Sequence, residues 1–213
     1  MSGQRIGIMG GTFDPVHYGH LVTAEAAREQ YGLQEIVFVP SGNPPHKTTG
    51  IVSDFWHRYQ MVVLATASNP FFEVSRMEHE RGGRSYTVDT VRAFRQLYGD
   101  GAELFFVTGA DAILEIIGWK QPEELMAMCR FIAATRPGYD LRQLATLLGE
   151  YLAGSVSILE IPAPDISSSD IRERVRRGAS IKYLVPEAVE TYIIKSRLYQ
   201  NEPGVRSILN SGY

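Results

Sequence analysis

Short apolar runs alternate along the chain with longer stretches in which apolar residues recur every three or four positions. Ile6 to Met9, Ile36 to Val39, Phe71 to Val74, Leu104 to Thr108, Phe131 to Ala134 and Val156 to Ile161 have the length of strands. Helices are predicted over Leu21 to Tyr31, from an Asp54 cap to about Ser68, from Thr87 onward, over Pro122 to Met128 and over Leu141 to Leu152. Two more follow, from the Ser167-Ser168-Ser169-Asp170 turn through Arg177 and from Pro186 to about Ser196. In the helix opened by Thr87, the residues Val88, Val91, Phe94 and Leu97 are expected to form one apolar face. Arg81-Gly82-Gly83-Arg84 reads as a mobile loop. Strands alternating with helices predict an α/β fold, a doubly wound parallel sheet in three α/β/α layers with right-handed crossovers. Such sheets bind ligands outside the carboxyl ends of their strands, which gathers the turns after Met9, Val39, Val107, Ala134 and Ile161.

Composition narrows the partner. The 213 residues, 44% hydrophobic and 21% charged, suit a single domain over 1–200, followed by a polar tail over 201–213 that contains Pro203-Gly204 and is expected to be loosely ordered. A net charge of -3 from 21 basic and 24 acidic residues argues against a general nucleic-acid surface and for a small substrate. Cys129 is the only cysteine, so no intramolecular disulfide is expected; it reads as a packed thiol in a reducing compartment. The expectation is a cytoplasmic protein without a leader, because no apolar run approaches the roughly 18 residues of a membrane span.

The chemistry concentrates at the first strand-to-helix turn, Gly10-Gly11-Thr12-Phe13-Asp14-Pro15-Val16-His17-Tyr18-Gly19-His20. Gly10 and Gly11 let backbone N–H groups approach a ligand, and His17 and His20, three apart, project toward the same space. An anion suits unsatisfied amides at a helix start. A second such start carries Ser168 and Ser169, with Arg172 three residues on and able to reach back over the serines. Taken alone, the histidines could cap a helix, pack in the core or bind zinc, and the serines could merely cap. A zinc site lacks further ligands, because His46, His57 and His79 are scattered. There is no Walker sequence and no G-x-G-x-x-G after the first strand, so P-loop hydrolysis and hydride transfer lose support. The expectation is that two amide-rich pockets, one near each end of the chain, converge on one polyphosphate.

The first stretch resembles the signature of the nucleotidylyltransferase superfamily, whose H-x-G-H element binds a nucleotide triphosphate. That resemblance implies a Rossmann-like nucleotidylyltransferase fold and a nucleotide site formed by Gly10, Gly11, Thr12, Phe13, His17 and His20. Ile166-Ser167-Ser168-Ser169-Asp170-Ile171-Arg172 is similar to the second signature, I-S-S-[ST]-x-[IV]-R, implying contacts from Ser168, Ser169 and Arg172 to ATP phosphates. Gly109-Ala110-Asp111 matches G-x-D, implying that Asp111 accepts hydrogen bonds from ribose hydroxyls; alone, it could instead cap a helix starting at Ala112. Over about residues 5–199 the chain resembles the bacterial nicotinate-nucleotide adenylyltransferases in particular. The resemblance implies that Lys47, in Asn43-Pro44-Pro45-His46-Lys47, neutralises the mononucleotide phosphate with help from Arg136. It also implies that backbone amides within Ser85-Tyr86-Thr87 hold the pyridine carboxylate, and that Trp119 packs near the ring, although Trp119 could equally anchor the core.

The implied reaction joins ATP and nicotinate mononucleotide, a step of NAD biosynthesis, with Mg²⁺ carried by ATP and no protein metal ligands. Homo-oligomer formation is allowed but not specified. Adenylyl transfer to another phosphate monoester, phosphopantetheine-like or nicotinamide mononucleotide, and a non-catalytic dinucleotide sensor stay open as alternatives.

Overall fold

The computed structural model describes residues 3–43, 52–135, 154–161 and 166–200. Lys47, Arg136, the predicted helix over 141–152 and the tail lie outside these residues. Six parallel strands, β1 (Arg5–Gly11), β2 (Glu35–Pro40), β3 (Phe72–Val74), β4 (Glu103–Gly109), β5 (Arg130–Thr135) and β6 (Val156–Glu160), form one sheet in the order β3-β2-β1-β4-β5-β6. The chain winds outward from β1 in one direction and then restarts beside it in the other. The crevice between the carboxyl ends of β1 and β4 is therefore the switch point where this architecture binds ligands.

Alternate side chains divide between the two faces. On one face Met9, Phe38, Phe105, Val107 and Ile132 pack with Ala24 and Ala27 of α1 (Tyr18–Tyr31), Met61 and Val62 of α2 (Phe55–Thr66), Ile171 of α7 (Ser168–Arg176) and Val189 and Ile193 of α8 (Glu187–Lys195). On the other, Ile6, Ile8, Val37, Val39, Leu104, Phe106 and Phe131 meet Val88, Val91 and Phe94 of α4 (Thr87–Tyr98), Ile113 of α5 (Ala110–Leu114) and Leu125 of α6 (Pro122–Met128). Cover on both faces is why the strands read as continuous apolar runs. Cys129 belongs to the second core; burial pushes its thiol pKa up to about 12, so it packs rather than reacts.

Three features differ from expectation. α1 begins at Tyr18, a turn before the first periodic apolar residue, because His17 is extended and caps it. A short helix, α3 (Met77–Arg81), precedes the predicted Gly82-Gly83 loop. Leu97 does not join the apolar face of α4: it is 68% exposed, whereas Phe94 is 1% exposed. Three-residue steps lag the helical turn by about 60° each, so Leu97 lies roughly 180° from Val88. Tyr98 instead stacks on Phe94, with ring centroids 6.0 Å apart. Urea unfolding is accordingly expected to show Phe94→Ala losing about 3–5 kcal/mol and Leu97→Ala changing stability by less than about 0.5 kcal/mol.

Candidate active site

Two cavities flank the carboxyl end of β1. The first, about 300 Å³, is lined by Met9, His17, Gly19, His20, Thr23, Gly109, Ser167 and Ser168 among others. It therefore joins residues from both ends of the chain. Ser168 Oγ donates to the Pro15 carbonyl at 2.8 Å, and Arg172 Nη1 donates to the Asp14 carbonyl at 2.7 Å. Helix capping falls to Ser167, which accepts from the Asp170 N–H at 3.1 Å. Ser168 is thereby committed to the first turn, while Ser169 Oγ accepts from Arg172 Nη2 at 3.1 Å. The histidine turn and the Ser168 turn thus share one cavity, whereas Gly10, Gly11 and Thr12, expected in the same pocket, line the second.

The histidines are arranged by the backbone. The His17 and His20 rings lie 3.8 Å apart at 32°, and the His17 N–H donates to His20 Nδ1 at 3.2 Å. With Nδ1 accepting, the neutral His20 ring carries its proton on Nε2 as a donor. A Cβ on Gly19 would sit 3.0 Å from His17 Nδ1, so any larger residue there would press the first ring a few tenths of an ångström away from the helix. Phe13 is buried and meets His20 edge-on at 5.0 Å, so its side chain supports the site from beneath.

Although part of His20 faces the cavity, its pKa is pulled well below the usual imidazole value, first by burial and second by His17. The folded state thus resists protonation at this ring. The stability this contributes is complete above the unfolded imidazole value near 6.5 and is lost as pH falls from there toward the lower folded value. Thermal melts are expected to show a downward Tm slope on acidification below about pH 6.5 that is shallower in His20→Gln.

Gly109 closes β4, and Asp111 is exposed on the first turn of α5 two residues later. The helix starts at Ala110 with Gly109 as its cap, so Asp111 is not the cap of a helix starting at Ala112.

The second cavity, about 350 Å³, is lined by Gly10, Gly11, Thr12, Ser41, Ser85, Tyr86, Thr87, Trp119 and Lys120 among others. Tyr86 is the N-cap residue of α4, and the start of that helix, with its unsatisfied amides, borders this cavity. Ser85 is pinned to Asn43 in both directions: its N–H donates to the Asn43 carbonyl and its Oγ accepts the Asn43 N–H, each at 3.0 Å. Trp119 anchors the core, one of the two readings made of it: it packs edge-on against Phe106 and Phe131 at 6.2 and 6.5 Å, and it also faces the cavity.

Lys120 and Glu78 were missed by the sequence reasoning. Lys120 Nζ pairs with Asp89 at 3.0 Å and lies 4.7 Å from the centre of the Tyr86 ring. Its place beside Trp119 was the available signal. Glu78 is buried at the cavity wall, where Thr90 Oγ1 donates to it at 2.5 Å. Beneath the cavities lies a polar layer with no sequence signal. Tyr199 donates to Asp14 Oδ1 at 2.7 Å, the Ser53 N–H donates to Oδ2 at 3.1 Å, and Arg58 is buried beside them. Among the described residues, no three His, Cys, Asp or Glu side chains stand close enough to share a metal ion. No described helix is long and apolar enough to cross a membrane.

A parallel sheet with this switch point and two donor-rich turns at it define a nucleotidyl-transferring protein, and a cytidylyltransferase-like family model matches residues 8–174. The chain is 57% identical over 199 residues to the "Probable nicotinate-nucleotide adenylyltransferase" of Moorella thermoacetica, covering 92% of each protein. It is 50% identical over 200 residues to the protein so named in Saccharopolyspora erythraea, covering 93% of this chain and 91% of that one. The chain belongs to the nicotinate-nucleotide adenylyltransferase family. The fold likeness reaches further, to Plasmodium falciparum nicotinic acid mononucleotide adenylyltransferase complexed with NaAD, with a TM-score of 0.77 at 23% identity over 92% of this chain and 97% of that one.

Proposed function

We infer that the protein transfers the adenylyl group of ATP to the 5′-phosphate of nicotinate mononucleotide, giving nicotinate adenine dinucleotide and pyrophosphate. The supporting observation is the pair of cavities on either side of the β1 carboxyl end. One is lined by imidazole and hydroxyl groups that suit a polyphosphate, and the other is bounded by Trp119 and the start of α4. A phosphate oxygen of the mononucleotide attacks the α-phosphorus in line. The new P–O bond forms as the bond from the α-phosphorus to the bridging oxygen breaks, and that oxygen leaves with pyrophosphate. The nucleophile is already anionic at neutral pH, so no general base is needed.

Catalysis then rests on alignment and charge neutralisation. In this reading His17 and the Nε2–H of His20 donate to the triphosphate, the backbone N–H of Ser168 at the start of α7 holds the departing pyrophosphate together with Ser169 and Arg172, and the Asp111 carboxylate accepts from ribose hydroxyls. Amides at Tyr86 and Thr87 hold the pyridine carboxylate beside Trp119, while Lys47 and Arg136 are assigned to the mononucleotide phosphate. The donor set fits anions rather than a cation, so Mg²⁺ belongs to the MgATP substrate. Dependence on ATP and a buried free thiol at Cys129 are in keeping with a cytoplasmic enzyme.

The test is pyrophosphate release from ATP and Mg²⁺ with nicotinate mononucleotide, its amide or phosphopantetheine as acceptor. The fastest release is expected with nicotinate mononucleotide. Faster release with another acceptor would reassign the substrate. No release with any of them, and no ATP–pyrophosphate exchange in the presence of the dinucleotide, would make the protein a sensor.

A further inference from the structure

We infer that Arg58 is a positioning residue for the mononucleotide substrate, acting by tying together the backbone turns that wall the tryptophan-side cavity. The inference rests on the function proposed above. Arg58 is 2% exposed, the largest fully buried side chain among the described residues. Its guanidinium is spent on backbone: Nη1 donates to the Thr12 carbonyl at 2.8 Å, Nη2 to the Ser41 carbonyl at 2.8 Å and Nε to the Ser53 carbonyl at 2.9 Å. These three carbonyls belong to the turn after β1, the turn after β2 and the approach to α2. A planar fork holds these acceptors in fixed directions from three separate nitrogens; an ammonium has three donors too, but all on one freely rotating nitrogen, so it cannot reach the same three positions.

The placement is asymmetric. Thr12 and Ser41 both line the tryptophan-side cavity, and neither lines the histidine-side cavity. The tie is reinforced locally, since Ser41 donates through both its N–H and Oγ to the Gly11 carbonyl at 2.8 and 3.0 Å. The neighbouring turn is fixed as well, through the Ser53 N–H on Asp14. The histidine-side cavity has its own tethers, through Ser168 and Arg172 to Pro15 and Asp14. A defect at Arg58 should therefore register on one substrate more than on the other. Burying a guanidinium at this depth is costly, and Asp14 and Asp54 offset part of that cost.

The experiment compares wild type with Arg58→Lys and Arg58→Gln, using circular dichroism and melting to establish folding and steady-state kinetics in both substrates. Both variants are expected to fold with lowered Tm. KM for nicotinate mononucleotide should rise about tenfold or more, with KM for ATP within about threefold of wild type. Lysine should recover less than half of the lost kcat/KM. An unchanged KM for the mononucleotide, or an equal rise in both KM values, overturns the inference. So does failure of both variants to fold, which would assign Arg58 to the fold and not to the cavity. An inactive wild type would instead sink the proposed function.

Discussion

Replacing His20 by alanine is expected to lower kcat about a hundredfold, the usual cost of roughly 3 kcal/mol for removing one preorganised donor to developing charge. The direction follows from the ring's fixed chemistry. Nδ1 is occupied by the His17 N–H, and the depressed pKa keeps the ring neutral at pH 7, so Nε2–H is available as a donor without the desolvation cost of a buried cation. Because the proton does not leave during turnover, the loss should be nearly constant between about pH 7 and 8.5. His20→Asn, which keeps an N–H donor on a shorter side chain, should lie between wild type and alanine. The fold should survive, because His20 forms part of the cavity surface and the core beneath it is built from Phe13 and Phe38. Steady-state kinetics with varied ATP and a circular dichroism spectrum check both halves. A His20→Ala enzyme turning over within threefold of wild type would remove this histidine from the mechanism.

Most of this site was legible because its parts are local. The Gly10 to His20 turn, the Ser167 to Arg172 turn and the Ser85 to Thr87 helix start each pack several special residues into a dozen positions or fewer, and backbone geometry does the rest. Arg58 was illegible for the opposite reason. Its partners are backbone carbonyls 5, 17 and 46 positions away, and a carbonyl carries no residue identity. The polar helix position it occupies looks like any solvated arginine. Tyr199 is a similar case, meeting Asp14 across 185 positions. Leu97 shows a different limit, since repeating every third residue imitates a helical face for two turns and then leaves it. α3 is too short for any period to emerge. Sequence motifs thus pointed to the groups proposed to meet the ligand, whereas the groups that hold those in place required the fold.

Arg172→Ala should be at least as damaging as the loss of His20, because one side chain holds two relationships. Its guanidinium bonds the Asp14 carbonyl and Ser169 Oγ, which fixes α7 against the first turn across 158 positions and leaves further N–H groups for phosphate. Removing it costs a charge-assisted bond to backbone, about 1.5–3 kcal/mol of stability where fully buried and less at this partly exposed position. It also costs the cation that would neutralise pyrophosphate as it departs. The expected result is a fall in kcat/KM for ATP of about two to three orders of magnitude. Arg172→Lys should recover little, because a point charge cannot span two acceptors and a phosphate together. Ser168→Ala separates the two contributions: it removes the bond to Pro15, at a cost of about 1 kcal/mol, and leaves the positive charge in place. If tethering alone mattered, Ser168→Ala and Arg172→Lys would be similarly impaired. If charge placement dominates, as the fork geometry argues, Ser168→Ala should stay within about tenfold of wild type while Arg172→Lys remains far below it. A lysine variant with near wild-type kcat/KM for ATP would show that the guanidinium plane contributes nothing beyond its charge, and pyrophosphate binding would then have to rest on the helix start and the imidazoles.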